Sequence, residues 1–125
     1  MKCGIDIVDS ARVEKMIKRR GRDKLDCIWT KDELTACTDS KGMFRYHSLA
    51  ARFACKEAVA KAIGTGFRRH GVSPAEIEIV KNAAGEPSVV LHGQTKSFFE
   101  SCGFHSVSVS LTHTKDLAAA VCIIE

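Results

Sequence analysis

The side chains with chemical potential cluster in one segment, RFACKEAVAKAIGTG, residues 52–66. Arg52 and Lys56 are four residues apart, as are Glu57 and Lys61. On a helix each pair forms a row. Leu49, Phe53 and Ala60 fall on one side, and Ala51, Cys55, Ala58 and Ala62 fall roughly opposite. The charged rows therefore run between two packable faces, unlike a surface helix with one apolar stripe. One carboxylate among three cations suits a polyphosphate ligand. Helix-stabilising positions on solvated edges are the alternative reading. The run ends in Gly64-Thr65-Gly66, where bare backbone can approach a ligand, although Gly64 also reads as a plain C-terminal cap.

Magnesium is usually held by one or two carboxylates, substrate phosphates and waters. Asp6 is the candidate partner of Glu57, because it interrupts an apolar strand two residues after Gly4. A buried strand carboxylate needs a cation or a polar partner, so a turn cap or a lysine pair remains the alternative. A third group is S-x-S-x-T-H-T-K at 108–115. Ser108, Ser110 and Thr112 alternate on one face, and His113, Thr114 and Lys115 follow in a tight connection. They offer donors for phosphate or sugar hydroxyls, or form a solvated strand face and polar turn.

The elements that would carry these groups are legible from pattern. Lys2 to Val8 reads as a strand, with Cys3, Ile5 and Ile7 on one face and Gly4, Asp6 and Val8 on the other. Asp9 or Ser10 caps a helix running to about Arg20, where Val13, Met16 and Ile17 are apolar and Arg12, Lys15, Lys18, Arg19 and Arg20 are basic. Thr30 and Glu33 form a capping-box pattern for a short helix over 31–37. Residues 39–42 read as a mobile polar turn, and a long helix is predicted over 46–63. Strands at 76–81 and 88–91 flank Asn82-Ala-Ala-Gly-Glu-Pro, a hairpin signal. A helix over 94–102 follows. The alternating run 107–111 and the apolar run 117–124 read as a buried pair of strands. Helices come early and antiparallel strands late, which predicts an α+β single domain over 1–125, its helices packed on an antiparallel sheet.

A chain of 125 residues suits one domain. The formal charge of +4 fits an acidic partner or phosphorylated ligand without demanding nucleic acid. Six cysteines are scattered with no C-x-x-C, as expected of reduced thiols. No apolar run approaches membrane-spanning length and no signal-peptide core is visible. The expectation is a soluble cytoplasmic protein with no membrane or nucleic-acid partner. A non-enzymatic basic module docking an acidic protein or nucleic acid is the rival function.

Taken in order, CGIDIVD at 3–9, RFACKEAVAKAIGTG at 52–66, IEIVKNAAGEPSVVL at 77–91 and VSLTHTKDLAAAV at 109–121 resemble the holo-acyl-carrier-protein synthases. These are the small bacterial 4′-phosphopantetheinyl transferases. The resemblance spans nearly the whole chain. It implies an α+β fold and a Mg2+-dependent transfer of the phosphopantetheine arm of coenzyme A to a serine of apo-acyl carrier protein, releasing adenosine 3′,5′-bisphosphate. It implies Asp6 and Glu57 as metal ligands and Lys61 at the cofactor phosphates, with Glu57 and Lys61 as the catalytic pair. Arg52 and Lys56 would lie close to the coenzyme A phosphates, Gly64, Thr65 and Gly66 against the nucleotide, and His113 and Thr114 at its 3′-phosphate end. Arg12, Lys15 and Arg19 would receive the acidic carrier protein. A homotrimer with active sites shared between subunits is also implied. Lys2 and Leu117 depart from the family pattern, which commonly has Gly and an aromatic residue there.

Overall fold

The computed structural model describes residues 1–125. The chain runs β1 (Lys2–Asp9), α1 (Ser10–Arg20), a 3-10 segment (Arg22–Cys27), α2 (Lys31–Ala36), α3 (Tyr46–Ile63), short 3-10 turns at Arg69–Gly71 and Pro74–Glu76, β2 (Ile77–Lys81), β3 (Pro87–Leu91), α4 (Gly93–Ser101), β4 (Val107–His113) and β5 (Leu117–Ile124). Local chemistry sets most of these boundaries. Asp9 accepts the Ala11 amide at 2.9 Å and starts α1. Thr30 and Glu33 close a reciprocal capping box on α2. Gly64, at φ 99°, stops α3 in the left-handed conformation that glycine adopts without a Cβ penalty. The turn expected to be mobile, 39–42, is pinned instead: the Asp39 carboxylate accepts the Lys41 and Met43 amides, each at 2.9 Å.

Two antiparallel sheets form. One has the order β1-β5-β4 and the other is the β2-β3 hairpin. Gly4 stands opposite Cys122 and Asp6 opposite Ala120. The first strand thus joins the last two, although nearly the whole chain separates them.

Helix α3 is buried on almost every side, which is why it lacks a single apolar stripe. One core cluster packs Ala54 to Ile63 of α3 against Ile77 and Ile79, Phe99, Ala120, Cys122 and Ile124. The other packs Leu49 to Ala51 against Val13, Ile17, Leu25, Ile28 and Trp29. Leu25, Leu49, Ile77 and Ile124 are fully buried, each contributing roughly 1.5–3 kcal/mol. All six cysteines are free. Burial pushes the Cys55 and Cys122 thiols up to about 12, so these two are packing groups and not nucleophiles.

One expectation fails. β4 and β5 are not a buried pair, because nothing from this chain covers the outer face of their sheet. Ile5 is 70% exposed and Ile7 62%, and Leu117, Val121 and Ile123 are also open. Gly4, Asp6 and Val8 take the inner side, as the alternation predicts.

Candidate active site

Asp6, Glu57 and Lys61 come together in one cavity of about 760 Å³. β1 supplies the first and α3 the other two. Lys61 Nζ donates to Asp6 Oδ1 at 2.8 Å and to the Ile5 carbonyl at 3.1 Å, stitching α3 to β1. Removal from water raises the Glu57 carboxyl above the usual glutamate range. The charge of Asp6 raises it further, and Lys61 and Arg12 pull it down. Two carboxylates that repel across an open pocket make a seat for a cation. With room left for phosphate oxygens and water, the pair fits magnesium, which takes few protein ligands. No group of three or more His, Cys, Asp and Glu converges anywhere, so a closed all-protein metal cage is absent.

The basic face of α1 rims the same cavity through Arg12, Lys15 and Arg19, and Val13, Met16 and Phe53 add apolar wall. The first helix and the carboxylate pair therefore belong to one surface feature.

Arg52 and Lys56 are not there, and this corrects the expectation that they approach coenzyme A phosphates. Both are buried. Lys56 Nζ donates to Glu33 Oε1 at 2.7 Å, to the Pro74 carbonyl at 2.8 Å and to the Ile77 carbonyl at 2.6 Å. An ammonium has three donors, and all three are used. Burial draws Lys56 below the ordinary lysine range while Glu33 pulls it back up. Arg52 donates to the Ile79 carbonyl and stands 3.8 Å from Glu33 Oε2. The two i,i+4 rows thus part company: one is a core ion cluster and the other faces the open pocket.

Glu33 is the residue that sequence reasoning missed. It looked complete as the third residue of a capping box, and its Oε1 does accept the Thr30 amide at 3.1 Å. Two cations on an apolar helix require a buried carboxylate, and that requirement was the available signal.

The Gly64-Thr65-Gly66 loop offers less than expected. Its three amides all point at the Ala60 carbonyl, at 3.1 to 3.2 Å. The loop presents bare backbone surface, with open space around Gly66, and no free N–H fork.

His113 and Thr114 lie elsewhere. They line a second, more open cavity of about 1050 Å³ with Arg45, Tyr46 and His47. The His113 and His47 rings are 5.9 Å apart, and Thr114 Oγ1 accepts the Leu117 amide at 3.2 Å. This cavity sits at the start of α3, whereas Gly64 follows its end. An 18-residue helix separates the two groups, a span of about 27 Å. Arg45 and His47 were not singled out in the sequence, because nothing local distinguishes them from ordinary helix-entry residues.

The sequence profile of the 4′-phosphopantetheinyl transferase superfamily matches residues 2–122. The chain belongs to this superfamily. It is 40% identical to the holo-[acyl-carrier-protein] synthase of Ruminiclostridium cellulolyticum, over 99% of this chain and 91% of that one. It is 43% identical to the synthase of Carboxydothermus hydrogenoformans, over 96% and 94% of the two chains. Among solved structures, the Helicobacter pylori holo-[acyl-carrier-protein] synthase in complex with coenzyme A superposes with a TM-score of 0.85 at 32% identity, covering 98% of this chain and 99% of that one. The Neisseria meningitidis synthase gives 0.86 at 33%, covering 99% and 97%. The α+β architecture is thus the fold of the phosphopantetheinyl transferases of this type.

Proposed function

We propose that this chain transfers the 4′-phosphopantetheine arm of coenzyme A to a serine hydroxyl of an apo-acyl carrier protein and releases adenosine 3′,5′-bisphosphate. The observation that carries the reading is the cavity holding Asp6, Glu57 and Lys61 under a basic helix, in a chain similar to holo-[acyl-carrier-protein] synthases over nearly its whole length.

The serine oxygen bonds to the phosphorus that carries pantetheine, and the bond from that phosphorus to the bridging oxygen breaks. The electron pair leaves on the phosphate of adenosine 3′,5′-bisphosphate. Such displacements depend mainly on positioning and charge neutralisation. Lys61, half exposed at the cavity, neutralises the departing phosphate. Glu57 accepts the serine proton, directly or through an intervening water. Asp6 and Glu57 would hold Mg2+, which supplies charge stabilisation on the pyrophosphate. Arg12, Lys15 and Arg19 draw in and orient the acidic carrier protein.

We further propose a homotrimer with shared sites. The open apolar face of Ile5, Ile7, Leu117, Val121 and Ile123 is the kind of surface a second copy covers. A neighbouring subunit would bring its His113 and Thr114 to the Gly64–Gly66 end of α3 and hold the nucleotide between them. The free thiols suit a reducing cytoplasm, and no helix is long and apolar enough to cross a membrane.

The test is direct. The chain is incubated with coenzyme A, Mg2+ and an apo-carrier protein, and the carrier is weighed by mass spectrometry. A gain equal to one phosphopantetheine, lost with chelator, is expected. An unmodified carrier under these conditions refutes the reading.

A further inference from the structure

We infer that Gly4 is a positioning residue: its missing side chain lets β1 rest on the backbone of α3, and that contact holds Asp6 at Glu57 and Lys61. The inference rests on the reading of those three residues as the reacting centre.

Gly4 is buried, whereas its neighbours Cys3 and Ile5 are exposed. It lies in a regular strand and is not among the glycines with positive φ. Its backbone conformation is open to any residue, so the demand for glycine is one of space. A methyl group on its Cα would overlap the Ala58 carbonyl oxygen and stand 2.8 Å from the Ala62 nitrogen and 3.1 Å from the Ala58 carbonyl carbon. All three are backbone atoms of one turn of α3, and no rotamer change moves them. Gly71 and Gly93 are also crowded, but by the flexible side chains of Gln94 and Glu76. Gly4 is the one glycine of this chain whose three nearest neighbours are all backbone atoms.

The crowded turn is the reacting turn. Glu57 and Lys61 precede Ala58 and Ala62 by one residue each, and Asp6 follows Gly4 on the same side of β1. Helix α3 cannot retreat from an added methyl, because Lys56 and Arg52 tie it from within the core to Glu33 and to the carbonyls of Pro74, Ile77 and Ile79. β1 must lift instead. A carbon–oxygen contact needs about 3.3 Å, so the strand lifts by roughly 1.3 Å, and Asp6 travels with it. A shift of that size in a reacting group costs up to about 100-fold in rate.

The experiment uses Gly4→Ala in the full chain, with folding checked by circular dichroism. Expected is a fall in kcat of about 10- to 100-fold, with Mn2+ affinity in the presence of coenzyme A, read by electron paramagnetic resonance, weakened about tenfold or more. Asp6→Glu lengthens the carboxylate by one methylene. On the Gly4→Ala background it recovers part of both losses; in the parent chain it lowers both quantities. Equal harm from Asp6→Glu on the two backgrounds leaves Gly4 a packing requirement only and overturns the inference. So does a folded Gly4→Ala chain with unchanged Mn2+ affinity and kcat. A Gly4→Ala chain that does not fold marks Gly4 as a packing requirement only and likewise overturns the inference. A parent chain that neither transfers the arm nor binds Mn2+ points to failure of the underlying functional reading instead.

Discussion

Lys56→Met cuts the core ion cluster while keeping most of the side-chain volume. The ammonium gives one hydrogen bond to a buried carboxylate and two to carbonyls, at 2.6 to 2.8 Å. Without it Glu33 keeps the Thr30 and Ile79 amides, at 3.1 and 3.2 Å, and the distant Arg52 guanidinium. The Pro74 and Ile77 carbonyls lose this donor. Breaking a fully buried pair in this way costs about 3–5 kcal/mol. That is a large share of the roughly 5–15 kcal/mol that holds a domain folded. At roughly 3–6 °C per kcal/mol for a domain of this size, Tm falls by about 9–30 °C. Thermal and urea unfolding followed by circular dichroism measure the loss, with an unchanged urea slope as the check on two-state behaviour. Glu33→Gln added to Lys56→Met removes the stranded charge and recovers part of the stability. Well below its Tm, the Lys56→Met protein binds coenzyme A as the parent does, because Lys56 does not reach the cavity surface. A single variant within about 1 kcal/mol of the parent, below the usual cost of an unpaired buried charge, refutes the cluster argument. A loss of coenzyme A affinity of tenfold or more, about 1.4 kcal/mol, restores Lys56 to the ligand.

Glu57→Ala folds and loses transfer activity by at least about 100-fold, as expected for a group serving proton transfer; near-normal turnover in the mass assay removes Glu57 from the site. Charge reversal at Arg12 and Arg19 raises KM for the carrier protein far more than KM for coenzyme A in steady-state kinetics, and equal changes in both reject the docking role. In the metal-free chain, carboxyl NMR finds Glu57 titrating above an ordinary glutamate, and Asp6→Asn moves it down because a repelling negative charge is gone while burial remains. The sign is the test, since an upward move contradicts the pairing of the two carboxylates. Ile123→Glu places a charge on the open apolar face and yields monomers by light scattering, with transfer activity lost through the divided site.

The sequence by itself determined the elements, because their signals are local. The Thr30–Glu33 box, the Asp9 cap, the Gly64 stop and the Asn82–Pro87 turn each act within a few residues, and the helices and strands they bound appear within a residue or two of their predicted ends. It also singled out Asp6, Glu57 and Lys61, whose charges stand out in apolar surroundings and which the structure brings to one cavity. Only the tertiary structure decided what each charge faces. Helical periodicity places Arg52 and Lys56 in one row and Glu57 and Lys61 in another, but a row has no inherent inside or outside. The partner that draws the first row into the core is Glu33, 19 and 23 residues away along the chain, and the strand that meets the second row lies at the start of the chain, with Asp6 55 residues before Lys61. The open face of β1 and β5 was hidden for the same reason, since β-branched residues read alike whether a core or a second subunit covers them. Burial is a property of pairs of elements, and pairing across such distances leaves no periodic trace in the sequence of either partner.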